Sequence, residues 1–205
     1  HDRKILFKFL LTLVDRNLRS GDKVLDVGSG TGYFLNLLKK RKLNVTGVEP
    51  ALAMREKSLS EYPDLKIYEA SVTNLPFSDE SFDTVFAIEV FRYLDTLDQE
   101  KGYRECLRVL RPGGVLVVTL VNKYALDGFY FKYNFFGLLE KLHIKELPNY
   151  CSFTTPSSAR AFLTAKLGIN SLNIATTGIL FAPTRVAYKI SRSFGEWVAK
   201  RLERF

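Results

Sequence analysis

Gly28, Gly30 and Gly32 recur at every second position between an apolar run at residues 24–27 and a helix-like run at residues 34–42. A strand-to-helix turn built this way lets the backbone take positive φ and lets a ligand approach where side chains would otherwise stand. The helix beyond it offers free N–H groups and a partial positive charge at its start. Two carboxylates bracket the turn: Asp26 lies two residues before the first glycine, at the end of the first strand, and Glu49 follows the second apolar run, residues 43–48. A carboxylate at the carboxyl end of a second strand is placed to accept both hydrogen bonds of a ribose diol, and it disfavours a 2′-phosphate. The predicted chemistry is the binding of an unphosphorylated nucleoside. Tyr33 stands where the dinucleotide fingerprint G-x-G-x-x-G puts its third glycine, so the spacing here is G-x-G-x-G.

Such a site needs strands that end together and helices that begin beside them. The pattern predicts strands near residues 23–27, 45–49, 66–70, 83–88 and 114–121. Helices are expected near 33–42, 51–61 and 98–110, with an amphipathic helix at 3–17 leading in. Thr96-Leu-Asp-Gln99 reads as a capping box, and Arg111-Pro-Gly-Gly114 as the turn that stops the helix before it. Strands alternating with helices imply right-handed crossovers and a parallel sheet covered on both faces. The near-continuous apolar run at 115–121 fits a strand buried on both sides. The predicted fold class is α/β, Rossmann-like and doubly wound, with a mostly parallel sheet and helices on both faces.

Five motifs in order, Asp26-Val-Gly-Ser-Gly-Thr-Gly32, Val48-Glu49-Pro50, Leu75-Pro-Phe77, Ser81-Phe-Asp83 and Leu110-Arg-Pro-Gly-Gly114, resemble those of the class I S-adenosylmethionine-dependent methyltransferases. The likeness is to their small-molecule branch, typified by enzymes of quinone biosynthesis, and covers residues 20–122. The resemblance implies about seven strands in the order 3-2-1-4-5-7-6 and S-adenosyl-L-methionine as cofactor. It places Gly28, Ser29, Gly30, Thr31 and Gly32 along the methionine part, and Asp26 on its ammonium or a bridging water. Glu49 would take the ribose hydroxyls, with Ala51 and Leu52 bordering the adenine and Pro50 also counted among the cofactor-binding residues. Ser71 stands where many relatives carry an Asp for the adenine amino group; the Val72 N–H would still serve a ring nitrogen. Ile88 and Glu89 would flank the methionine end, and Asp83 shapes the fold. The family's last strand, antiparallel at the sheet edge, has no counterpart before residue 205, which predicts a clipped chain or a sheet without it.

Methyl transfer from a sulfonium is an in-line displacement that positioning promotes. A phenol or hydroxyl acceptor must also lose a proton, and Glu89 and His143 are the candidate bases. Phe91-Arg92-Tyr93 occupies the place of a His pair in many relatives, which removes another. Residues 124–136 hold seven aromatic residues in thirteen, read as core packing or as a lid over an apolar acceptor; the lid is assigned to 123–165 of a single domain spanning 1–205.

The net charge of +8 raises nucleic acid or anionic membrane as partners. The densest cluster, Lys39-Lys-Arg-Lys42, reads as a solvated helix end. An RNA methyltransferase is disfavoured by the lack of an Asn-Pro-Pro-Tyr type motif and of a cysteine pair. The remaining alternatives are a cofactor-binding module without activity, a protein methyltransferase and a nicotinamide-dependent oxidoreductase; Tyr33 argues against the last. Residues 184–205 carry six cations against two carboxylates, with apolar residues at helical spacing. Docking on the sheet is the expected role of that segment, peripheral contact with anionic membrane the alternative. Cys106 and Cys151 lack metal-ligand spacing, so free thiols, no metal and a cytoplasmic setting are expected. A start at His1 rather than Met predicts that the chain begins inside a longer one, hiding any targeting segment. The acceptor's identity and the oligomeric state have no signature in the sequence.

Overall fold

The computed structural model describes residues 2–123 and 151–169. Helix α1 (Asp2–Asn17) precedes strand β1 (Lys23–Val27), and α2 (Tyr33–Lys39), β2 (Asn44–Val48), α3 (Leu52–Glu61) and β3 (Ile67–Tyr68) follow. The chain then crosses to β4 (Phe82–Ala87), makes a 3-10 turn (Phe91–Tyr93), and continues through α4 (Thr96–Val109), β5 (Leu110–Val118) and α5 (Pro156–Leu167). The five strands are parallel and lie in the order β3-β2-β1-β4-β5. Direction of progression reverses between β1 and β4, the place where such sheets open a crevice at their carboxyl ends.

Strand alternation sorts the core. Leu25, Val27, Val85 and Ala87 pack with Tyr103, Cys106 and Val109 of α4 and Leu163 of α5. Val24, Val45 and Phe86 face the other way, onto Leu10 and Val14 of α1 and Phe34, Leu35 and Leu38 of α2. Both faces are therefore covered, and β1 is buried from its second residue onward. Asp83, at the opposite end from the crevice, accepts from the Lys23 amide at 2.7 Å and pairs with Arg111 at 2.5 Å, which fits its structural reading.

Four local expectations change. The α4 cap is Asp95, whose carboxylate accepts from the Asp98 amide at 2.9 Å; Thr96 is already helical. The Arg111–Gly114 turn is not a separate connection but lies inside β5: Phe82 pairs with Leu110 and Thr84 with Val115, so residues 111–114 bulge out, with Gly113 at φ 76°. β5 is only half-buried, and Val115 is 47% exposed, because β5 ends the order of described strands. The basic cluster is partly neutralised, Lys39 pairing with Asp64 and Arg41 with Asp15. Both cysteines are free and buried, as expected. No helix among the described residues is long and apolar enough to cross a membrane, and none of their carboxylate, thiol or imidazole groups cluster as a metal site. The aromatic stretch at 124–136, His143, most of the expected lid and the basic segment 184–205 fall outside the described residues.

Candidate cofactor site

The carboxyl ends of β1, β2 and β4 meet around the glycine turn. Gly28, Gly30 and Gly32 take φ of 69°, 54° and 72°, a conformation that costs other residues a Cβ clash. Their surroundings differ. A Cβ on Gly28 would meet Val90 Cγ2 at 2.5 Å, and one on Gly32 would overlap the Ser58 hydroxyl and approach Leu65 Cδ1 at 2.9 Å. A Cβ on Gly30 would meet nothing within 4 Å, so this glycine borders open space. The turn is fastened to β2 by the Gly28 and Ser29 amides, which donate to the Val48 carbonyl at 2.8 and 3.0 Å.

Glu49 ties the two turns together. One carboxylate oxygen accepts from the Gly30 amide at 2.9 Å and the other from the Ala51 amide at 3.0 Å. Each oxygen keeps a second lone pair for a further donor. Asp26 lies one strand away, paired in register with Gly47 and Phe86, and is 2% exposed. Among the described residues nothing donates a hydrogen bond to its carboxylate. Burial, with the Glu49 charge adding to it, pushes the Asp26 carboxyl up to about 8. A buried acid of this kind welcomes a cationic group, which would compensate the lost hydration.

On the other flank, Glu89 follows β4 at φ 62°, a left-handed conformation uncommon for a residue with a Cβ. Its amide donates to Thr119 Oγ1 at 2.7 Å, and its carboxylate accepts from Arg92 Nη1 at 2.6 Å. The guanidinium occupies the carboxylate that the sequence nominates as a base. Ile88 beside it is half-buried, and Val72 is buried against Gly102 and Phe91. Ser71 spends its hydroxyl locally, on Thr73 Oγ1 at 3.1 Å and the Thr73 amide at 3.3 Å. Pro50 is exposed and offers its carbonyl to Arg55 at 2.8 Å.

The structure thus gathers Asp26, residues 28–32, Glu49 and Ala51 through direct bonds or shared strand ends, and sets Glu89 on the far side. Arg55, Ser58 and Thr119 also shape the site, and no motif in the sequence marks them. Their partners are backbone atoms and side chains that only the fold brings near. The open space at Gly30 and the two acids fit a ligand with a ribose and a positive end, which describes S-adenosylmethionine.

Residues 25–118 match the family model described as a methyltransferase domain. Over 119 residues the chain is 29% identical to a ubiquinone/menaquinone biosynthesis C-methyltransferase of Campylobacter jejuni, covering 55% of this chain and 50% of that protein. It is 36% identical over 99 residues to a demethylmenaquinone methyltransferase of Thermotoga maritima, covering 47% and 42%. Among solved structures, an S-adenosylmethionine-dependent methyltransferase of Thermotoga maritima, described as a possible histamine N-methyltransferase, superposes with a TM-score of 0.58 at 25% identity, over 78% of this chain and 70% of that one. The chain spans about half or less of the length of the curated relatives it matches. The strand order and the glycine turn agree with these matches, which liken residues 25–118 to an S-adenosylmethionine-dependent methyltransferase domain.

Proposed function

We propose that the protein transfers a methyl group from S-adenosylmethionine to a small apolar or aromatic acceptor. The observation that carries this reading is the pair of buried acids on adjacent strand ends, Asp26 and Glu49, around the open edge of Gly30. When bound, the sulfonium supplies an electrophilic methyl group. The chain's own part is to hold and orient. Glu49 accepts from the ribose, the Asp26 carboxylate meets the positive methionine end, and the turn at 28–32 lines the chain between them. Residues 20–122 serve as the cofactor-binding core. The methyl acceptors named for the quinone-biosynthesis relatives support an apolar, ring-bearing substrate.

Proton removal needs no dedicated base in this scheme. The Glu89 carboxylate is engaged by Arg92, so its role is to fix the β4 end of the site. In-line alignment of acceptor and methyl supplies the acceleration.

Titration calorimetry with S-adenosylhomocysteine and with NAD separates this reading from an oxidoreductase: micromolar binding of the first and none of the second is expected. The reverse preference would sink it. Incubation with methyl-labelled cofactor and a cell extract then tests the acceptor class. Label in the organic fraction is expected; label confined to RNA or protein would keep the cofactor and overturn the acceptor.

A further inference from the structure

Helix α3 is attached to the domain by polar groups. Its buried residues are Arg55 and Ser58, while Leu52, Met54 and Leu59 are exposed. Arg55 is the fourth residue of the helix, where a cation opposes the helix dipole, and no acidic residue in the first turn offsets it. Its position is explained by what it reaches. With the residue only 8% exposed, one Nη donates to the carbonyl oxygens of Glu49 and Pro50, at 2.9 and 2.8 Å, and the other Nη to the Glu69 carboxylate. A buried guanidinium is tolerated where its donors are met. Here two are met by the main chain of the turn that carries Glu49 and a third by the Glu69 carboxylate.

We infer that Arg55 is a positioning residue for the nucleoside site. It fixes the backbone of residues 49–50 from behind, while the Gly30 and Ala51 amides hold the Glu49 carboxylate from in front. The carboxylate is thereby fixed at both ends in the direction of the ribose hydroxyls. A planar fork can hold two carbonyls and a carboxylate at once; the single ammonium of lysine cannot hold all three in the same geometry. The inference rests on the proposed role of Glu49 as ribose acceptor.

The test compares S-adenosylhomocysteine with its 2′-deoxy analogue by titration against the wild type, Glu49→Gln, Arg55→Met, Arg55→Lys and Glu69→Gln. Losing a hydroxyl bonded to a carboxylate should weaken wild-type binding about tenfold or more. That penalty should fall to about twofold in E49Q and R55M, with R55K and E69Q between, because the hydrogen bond to a charged group is then weakened or lost. A full penalty retained in R55M would overturn the inference, since a merely structural residue would weaken both ligands alike. If R55M does not fold, R55K and E69Q carry the comparison, Glu69 being on the surface, and a full penalty in both overturns it equally. No penalty in the wild type would instead overturn the reading of Glu49.

Discussion

Gly30 and Gly32 share a spacing and a backbone conformation, and only their surroundings tell them apart. An alanine at Gly30 costs about 1–2 kcal/mol of backbone strain but touches no protein atom, so its methyl group stands in the cleft. Gly30→Ala should therefore lower the melting temperature modestly and weaken cofactor binding by more than tenfold, a loss of over about 1.4 kcal/mol. Gly32→Ala adds overlap with Ser58 and Leu65, at an overpacking cost of about 1–3 kcal/mol above the strain. Melting curves of the two variants side by side check the order; equal losses would contradict it. The sequence makes the need for glycine legible at both sites, because the turn demands positive φ. Which glycine faces ligand and which faces Ser58 depends on where α3 lies. Arg55 is illegible for the same reason: in the sequence it is one more charged residue on a helix.

The elements were mostly readable because burial imposes its period directly. Strands β1, β2 and β4 end within about a residue of their expected limits, since each is a short apolar run between turn residues. Helix ends were harder. Asp95 and Thr96 are both good caps, and the choice falls to Asp95, whose extended backbone at ψ 175° lets its carboxylate reach Asp98. Asp95→Ala should destabilise the fold by about 1 kcal/mol, and Thr96→Ala by no more than a few tenths. Urea unfolding of both variants measures the difference, and a reversed order would restore Thr96 as the cap. β5 shows the limit of local reading. Pro112, Gly113 and Gly114 announce a turn, yet pairing of Leu110 with Phe82 draws that turn into the strand as a bulge. Pairing partners, not propensity, set where the strand begins.

For the molecule as a whole, the strand order came from resemblance to a family, because pattern alone orders no sheet. The crossing between β3 and β4, which creates the crevice, is the feature that local periodicity cannot express. Global stability carries the mark of Asp26. Its folded carboxyl titrates at about 8 against an ordinary value of 3.8, chiefly through burial. Between these values the folded state binds more protons than the unfolded, so stability is greatest below about pH 4 on this account and falls as pH rises through about 8. Asp26→Asn should flatten that decline, which amounts to several kcal/mol. On the proposed placement of its ammonium beside the carboxylate, S-adenosylhomocysteine should raise the melting temperature of the wild type more at pH 8 than at pH 6. Scans across pH with and without the ligand test both points; a wild-type profile that rises from pH 6 to 8 by the amount seen in D26N would refute them.

The bonds from the Gly30 and Ala51 amides to Glu49 also bear on the speed of recognition. The two turns are already joined to one another through that carboxylate, so their ordering is complete once the chain has folded. A nucleoside arriving from solution meets a finished surface. Its observed association rate should therefore climb in proportion to concentration, with no plateau from a slow rearrangement. Encounter sets the pace of loading at this rim, and discrimination between ligands lies in how long each one stays.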